Sequence, residues 1–504
     1  MKKKTVIENL IVSTLTQLIT LILGMILPRL ILVAWGSEYN GLLSSVTNIL
    51  RYLSLLEAGF NTATLQALYK SVGQDDREQT SIVIRTSQHY YHRISVVYAL
   101  MVLLISIGYP LIVKSEIPFW ETFIIIILQG AVGVINFAFR AAYQQLLNAE
   151  GKYYVISLIT LLTTVLTYAA KILSIGYFNS VVIMQIMSVL VIIVQVTIYA
   201  IYFNRRYTWI DKDAHIDESL LENRKYYFTQ QVAGLIFNST DTFVLSVFCG
   251  LKVASVYATY NLVYTALTQI ISLIRGSTSF VLGQSFHKDE SFFKRVYDAY
   301  SAMQSMIGGI MASISMVLII NFIKLYTQGI NDVNYIDFIA AFLFSFNLML
   351  ECSRGASLAS ANIAGKAPDT TWRYILEAAI NLISSLILVQ FVGMKGVLLG
   401  TAIAGLYRTT DSIIYTNIHV LNRSSLYEFK NVLTDFTLFF GIVYVSHSLF
   451  SINAVSYVQL FGYAIITGII VTAIYGISFI VLNKNVTRDL IQAIKCETKI
   501  NQNV

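Results

Sequence analysis

Apolar residues run in blocks of about twenty along almost the whole chain, and polar residues gather in the short gaps between them. Leu10–Ala34, Phe123–Phe139 and Ile310–Ile323 are examples, too apolar and too numerous to fill one soluble core. A helix of ~20 residues, rising 1.5 Å per residue, crosses a hydrocarbon layer ~30 Å thick. Hydrocarbon offers the backbone no hydrogen-bond partner, which selects helices, and the sequence lacks the alternating segments of a transmembrane barrel. The pattern predicts spans near 10–34, 41–69, 94–113, 119–142, 153–177, 179–203, 226–249, 254–282, 301–323, 335–360, 371–392, 394–420, 431–450 and 456–482. The expected fold is an all-α polytopic membrane protein of about 14 transmembrane helices.

Composition agrees. Hydrophobic residues make up 56% of the chain and charged residues 12%, against roughly a quarter charged in soluble domains. Met1-Lys-Lys-Lys4 precedes an apolar run that reaches Trp35 with no small-residue cleavage site, so it reads as an uncleaved first span. Cys249, Cys352 and Cys496 are far apart and indicate neither a disulfide framework nor a metal site.

The placement of Lys and Arg sets the topology. With both termini cytoplasmic, 27 of the 35 fall on that side, and only Lys114, Lys252, Lys324 and Lys395 fall on the other. The net charge of +7 is thereby explained by an anionic leaflet, and no nucleic-acid partner is called for.

An internal repeat divides the chain. Arg140, Ala142, Asn148, Gly151 and Lys152 recur as Arg354, Ala356, Asn362, Gly365 and Lys366, each 214 residues later, and Gly36 recurs as Gly250. Six spans lie within that offset, so helix direction is kept and the two lobes are expected to be parallel repeats. The expected divisions are 1–203 (spans 1–6), a cytoplasmic linker at 204–225, 226–421 (spans 7–12), 422–482 (spans 13–14) and a cytoplasmic tail at 483–504.

Gly36-Ser-Glu-Tyr-Asn-Gly41-Leu, Tyr52-Leu-Ser-Leu-Leu-Glu57-Ala-Gly59-Phe and Leu147-Asn-Ala-Glu-Gly151-Lys152-Tyr-Tyr154-Val-Ile-Ser157 resemble the polysaccharide transporter branch of the multidrug/oligosaccharidyl-lipid/polysaccharide exporter (MOP) superfamily, which includes O-antigen and capsule-unit flippases. The resemblance runs along most of spans 1–12. It implies two six-helix lobes around a cavity and translocation of an undecaprenyl-pyrophosphate-linked oligosaccharide across a bacterial plasma membrane. It further implies no cofactor, coupling to a proton or sodium gradient, a monomer, and work alongside a polysaccharide polymerase and glycosyltransferases. In the related lipid II flippases two extra helices form a lipid-facing groove, a role open to spans 13–14.

Moving a diphosphate through hydrocarbon requires cations. An intramembrane charge costs ~2.5–3.5 kcal/mol on insertion scales, so one that persists faces a cavity or a partner. Arg51 falls ~15 Å past Gly41, near mid-membrane; it is either a cavity cation or half of an interhelical ion pair. Arg29, Lys171 and Arg275 are further cation candidates, with snorkelling to an interface the alternative for the first two and the positive-inside bias for the third. Glu57 and Asp241, the latter with Asn238 one turn earlier, are the acids for ion coupling or charge pairing, or for a plain interhelical hydrogen bond. Pro28 frees the carbonyl of Gly24, so a hinge is expected at Gly24–Pro28. Tyr257, Tyr260 and Tyr264 form a helical stripe that either stacks sugars or packs. Glu351, Glu377, Arg408 and Asp411 sit near span ends and are read as solvated, and Arg140 and Arg354 as scaffold.

A drug exporter of the same superfamily is the alternative transporter. Short outer loops and the lack of an acidic pair speak against a membrane glycosyltransferase or polymerase. The offset singles out the first hairpin, because Arg29, Arg51 and Glu57 map onto Phe243, Thr265 and Ile271. The second repeat does without those charges.

Overall fold

A computed structural model describes residues 3–57, 60–211, 214–217, 240–286, 290–449, 453–484 and 488, with no strand among them. The helices are α1 (Lys3–Leu53), α2 (Phe60–Gly73), α3 (Arg77–Ile112), α4 (Phe119–Phe139), α5 (Ala141–Ala149), α6 (Tyr153–Phe178), α7 (Val181–Arg206), α8 (240–248), α9 (Leu251–Phe286), α10 (Glu290–Tyr326), α11 (Phe338–Ser353), α12 (Gly355–Ile363), α13 (Ala367–Val392), α14 (Met394–His419), α15 (Leu426–Leu449) and α16 (Tyr457–Leu482). A short 3-10 turn, Ser54–Glu57, follows α1. Most of predicted span 7 and part of the linker lie outside the described residues.

Among the described residues, nine helices are long and apolar enough to cross a membrane. Their outward faces confirm the solvent: Leu111, Tyr177, Phe391 and Val458 are each more than 70% exposed. α16 buries only Val471 and Tyr475. In water such faces would be an aggregation hazard, whereas against lipid they cost nothing. The protein is an all-α polytopic membrane protein.

The 214-residue offset holds for the helices that follow each break. α5 and α12 are both nine residues long and in register at both ends, and α6 and α13 are both 26 residues, again in register. Predicted spans 4 and 10 are each broken in the same way: α4 gives way to α5 at Arg140, and α11 to α12 at Arg354. Gly36 and Gly250 share a left-handed φ of 81° and 87°, a conformation that glycine adopts without strain.

The hairpin of spans 1 and 2 is more continuous than expected. No polar turn separates them; the backbone leaves the helical region at Gly36 alone and resumes at Ser37. Asp332 caps the restart, accepting from the Ser37 N–H at 2.8 Å and the Ser37 hydroxyl at 2.6 Å. Arg51 therefore lies about 22 Å past the break, deeper than a count from Gly41 suggested. The second span itself ends early, at Leu53.

The chain divides into two compact units, Met1–Ala258 with Gly329–Val333, and Thr259–Gln328 with Asn334–Val504. Within the second, α15 and α16 lie outside the repeat but are pinned to it. The Glu428 carboxylate accepts from Tyr297, Ser301, Ser357 and Asn417, and Asp435 accepts from Ser305 at 2.6 Å.

Candidate functional site

In the first unit, the second half of α1 and α8 are joined by a polar ladder. Ser45 meets Ser246 at 3.0 Å, Asn48 donates to Thr242 at 3.0 Å, and Tyr52 meets Thr240. Numbers rise on one helix as they fall on the other, so the two run antiparallel. Side chains this small and polar let helices approach closely in a membrane while leaving no donor bare. Gly41 extends the close fit, because a methyl there would collide with the Leu251 carbonyl.

Arg51 stands at the foot of that ladder, in the last turn of α1, and is exposed. Its repeat counterpart Thr265 is exposed too, so the fold tolerates a neutral side chain at this place. Asp241 lies in the first described turn of α8 at the same level, close enough to act on Tyr52, and is buried. Tyr257 of α9 donates to it at 2.9 Å. Asn238 lies outside the described residues.

Glu57 closes the turn after α1 and accepts from Asn61 at 3.2 Å. Asn61 in turn accepts from Tyr91 and, at 2.7 Å, from Gln145. The Arg140 guanidinium acts on the Glu57 charge from the α4–α5 break, and it donates to Gln195 at 2.9 Å, which donates to Thr163 at 2.7 Å. Sequence reasoning had singled out Glu57 but neither Asn61 nor Gln145.

Arg29 of α1 and Lys171 of α6 lie at one level of the first unit. Thr16 of α1 donates to the Ser157 carbonyl of α6, and two turns on Gly24 faces the Tyr168 hydroxyl at van der Waals distance. Both helices run the same way, which sets Pro28 and Arg29 level with Lys171. Lys171 is half-buried and Arg29 likewise. Gly24 and Pro28 keep helical dihedrals, and the break in α1 is at Gly36.

Arg275 belongs to the second unit. Its guanidinium presses on Gly355 together with Gln304; an added methyl would lie 3.0 Å from Nη2 of the arginine. The repeat explains the fit, because Arg275 occupies the place of Asn61 and Gly355 that of Ala141.

A larger correction concerns the acids and arginines read as solvated. Arg408 is 1% exposed and Glu377 5%. Arg354 donates to Glu377, whose other oxygen lies 3.4 Å from Nε of Arg408. Arg408 also donates to Asp411 at 3.2 Å, and Arg373 closes the row on Asp411. Three guanidiniums thus share two carboxylates, with Arg408 stacked 4.1 Å over the Tyr374 ring. The offset contained the clue. Glu377 and Arg408 replace Thr163 and Val194, a matched gain of opposite charges.

The tyrosine stripe packs. Tyr264 donates to Glu351 at 2.6 Å and Tyr260 to the Tyr335 carbonyl at 2.9 Å, each inside the second unit, as Tyr257 does to Asp241 in the first. The Glu150–Lys152 motif is also anchored: Lys152 reaches Glu150 at 2.6 Å, and the Tyr207 hydroxyl donates to the same carboxylate. Burial first, and Glu150 second, push the Tyr207 pKa above its ordinary value.

No protein-family model matches the sequence, and no curated protein matches it. Solved structures do match in shape. A lipid II flippase, MurJ, in an inward closed conformation has a TM-score of 0.69 at 16% identity, covering 95% of this chain and all of its own. An inward-facing multidrug resistance MATE family transporter of the MOP superfamily has a TM-score of 0.66 at 16% identity, covering 78% of this chain and 94% of its own. The fold is that of MOP superfamily transporters. A third MOP transporter, from Pyrococcus furiosus, has a TM-score of 0.57 at 16% identity and covers 83% of this chain and 95% of its own. Within the MOP fold, the cations of α1 and α6 and the ladder of α1 and α8 all fall in the first unit.

Proposed function

We propose that the protein is a flippase for an undecaprenyl-pyrophosphate-linked oligosaccharide, moving it across a bacterial plasma membrane by alternating access of its two repeats. The observation that carries this reading is Arg51, exposed on a membrane helix at a place where the other repeat has threonine. A charge so placed is costly in lipid and useful only against water or an anion. Arg29 and Lys171 are the next cations offered to the pyrophosphate, with Arg275 as a candidate in the second unit. Glu57 and Asp241 are offered to a coupling proton or sodium ion, and no cofactor is needed. The three short motifs support the polysaccharide branch, and the likeness to the lipid II flippase spans more of this chain than that to the multidrug transporter. Both termini are placed in the cytoplasm, where a polymerase and glycosyltransferases are the natural partners of a monomer.

The test is reconstitution in liposomes with labelled polyprenyl-pyrophosphate oligosaccharides. Transfer of label faster than in empty vesicles is expected, and no acceleration across several sugar types overturns the reading. The multidrug alternative rests on the MATE likeness, and efflux of a lipophilic cation from the same vesicles would favour it.

A further inference from the structure

A cleft of about 360 Å³ opens in the first unit among α3, α4 and α5. Arg85, His89 and His92 line it from α3, and Phe137, Phe139 and Tyr143 from the opposite side. No carboxylate is among its lining residues; the nearest acid on that face of α3, Glu78, lies two turns before Arg85, about 10 Å away. Nothing in the transport reading uses this cleft.

Its place along α3 identifies the ligand. Arg85, His89, His92, Val96, Leu100, Leu103 and Ile107 succeed one another at steps of three or four and so form one helical stripe. The four apolar members are 50%, 58%, 43% and 44% exposed, which makes that face of α3 a lipid-facing one. From Ile94 to Ile112 α3 carries no charged residue, so the basic part of the stripe sits at the polar boundary of the span. Phe139, 59% exposed, flanks the same cleft. The stripe is thus basic for two turns and apolar for the next three, as an amphiphile with an anionic head and hydrocarbon tail requires.

We propose that this cleft binds the phosphodiester headgroup of an anionic glycerophospholipid, with one acyl chain lying along Val96, Leu100, Leu103 and Ile107. Arg85 supplies a fork of N–H donors and a permanent charge, and each imidazole supplies at least one donor. Arg85 is the one fixed cation among the lining residues, matching the single negative charge of a phosphodiester. The aromatic side chains cover the glycerol region, where rings with one apolar and one polar edge are at home.

The experiment uses the full-length protein in phosphatidylcholine nanodiscs doped with phosphatidylglycerol bearing a photoreactive acyl chain. Saturable labelling of one lipid per chain is expected, mapping to 96–107 and to the segment around Phe139. Arg85→Gln with His89→Gln and His92→Gln should weaken retention about fivefold or more, the effect of losing one surface cation or more beside anionic lipid. Arg85→Gln alone, at an exposed position, gives the same reading should the triple variant lose folded yield. Labelling unchanged by these substitutions, equal labelling by a phosphatidylcholine probe, or displacement of the phospholipid by equimolar polyprenyl diphosphate would each overturn the proposal.

Discussion

Arg354 donates to Glu377 inside the second unit, while Arg140, its counterpart 214 residues earlier, donates to the neutral Gln195. The helix break is the same in both repeats, but its lock is ionic in one and neutral in the other. Glu377 also faces Arg408, so removing it takes a carboxylate from two guanidiniums and leaves Arg408 with Asp411. Glu377→Ala should cost about 3–5 kcal/mol, the range for breaking a buried ion pair from one side. Gln195→Ala should cost about 1–3 kcal/mol, the range for one lost buried partner. Thermal unfolding in detergent checks both; equal losses would mean that the two locks are equivalent.

Gly41→Ala should impair folding, because its methyl meets the Leu251 backbone carbonyl rather than a movable side chain. Overpacking of this kind costs about 1–3 kcal/mol. The control is Gly476→Ala, where nothing lies within 4 Å. Comparable monodisperse yields for the two variants would refute the close approach of α1 and α9.

Glu428 satisfies four donors from α10, α12 and α14 at once. Glu428→Ala should therefore loosen α15 before it affects the rest. Hydrogen exchange is the readout. Faster exchange confined to α15 and α16 is expected, and uniform loss of protection would show that the pair is not separately anchored.

What could be read from sequence followed from periodicity and offset. Apolar blocks reveal spans because lipid imposes them along the chain, one helix at a time. The repeat emerged because Arg140, Gly151 and their partners lie at fixed spacing. The Gly36 break was hidden, since the run from Ser37 to Asn40 looks like a turn until Asp332, some 300 residues away, supplies its cap. The Arg354–Glu377–Arg408 row was hidden for the same reason. Position near a span end suggested solvent, and only the packing of α11, α13 and α14 shows burial. Arg51, by contrast, was singled out by its absence from the second repeat, and it is exposed, as its counterpart Thr265 is.

Arg51→Ala is thus expected to separate function from folding. The second repeat carries Thr265 at the equivalent place, and the ladder bonds of Asn48 and Tyr52 on the same turn do not involve the guanidinium. Membrane insertion and the unfolding midpoint should stay close to wild type, while transfer of the labelled lipid-linked oligosaccharide should fall at least tenfold, about 1.4 kcal/mol or more of lost interaction with the diphosphate. Arg51→Lys should recover part of the rate, since an ammonium keeps the charge but not the bidentate fork. A variant that fails to insert would point instead to an ion pair, and one that transports normally would remove Arg51 from the substrate path.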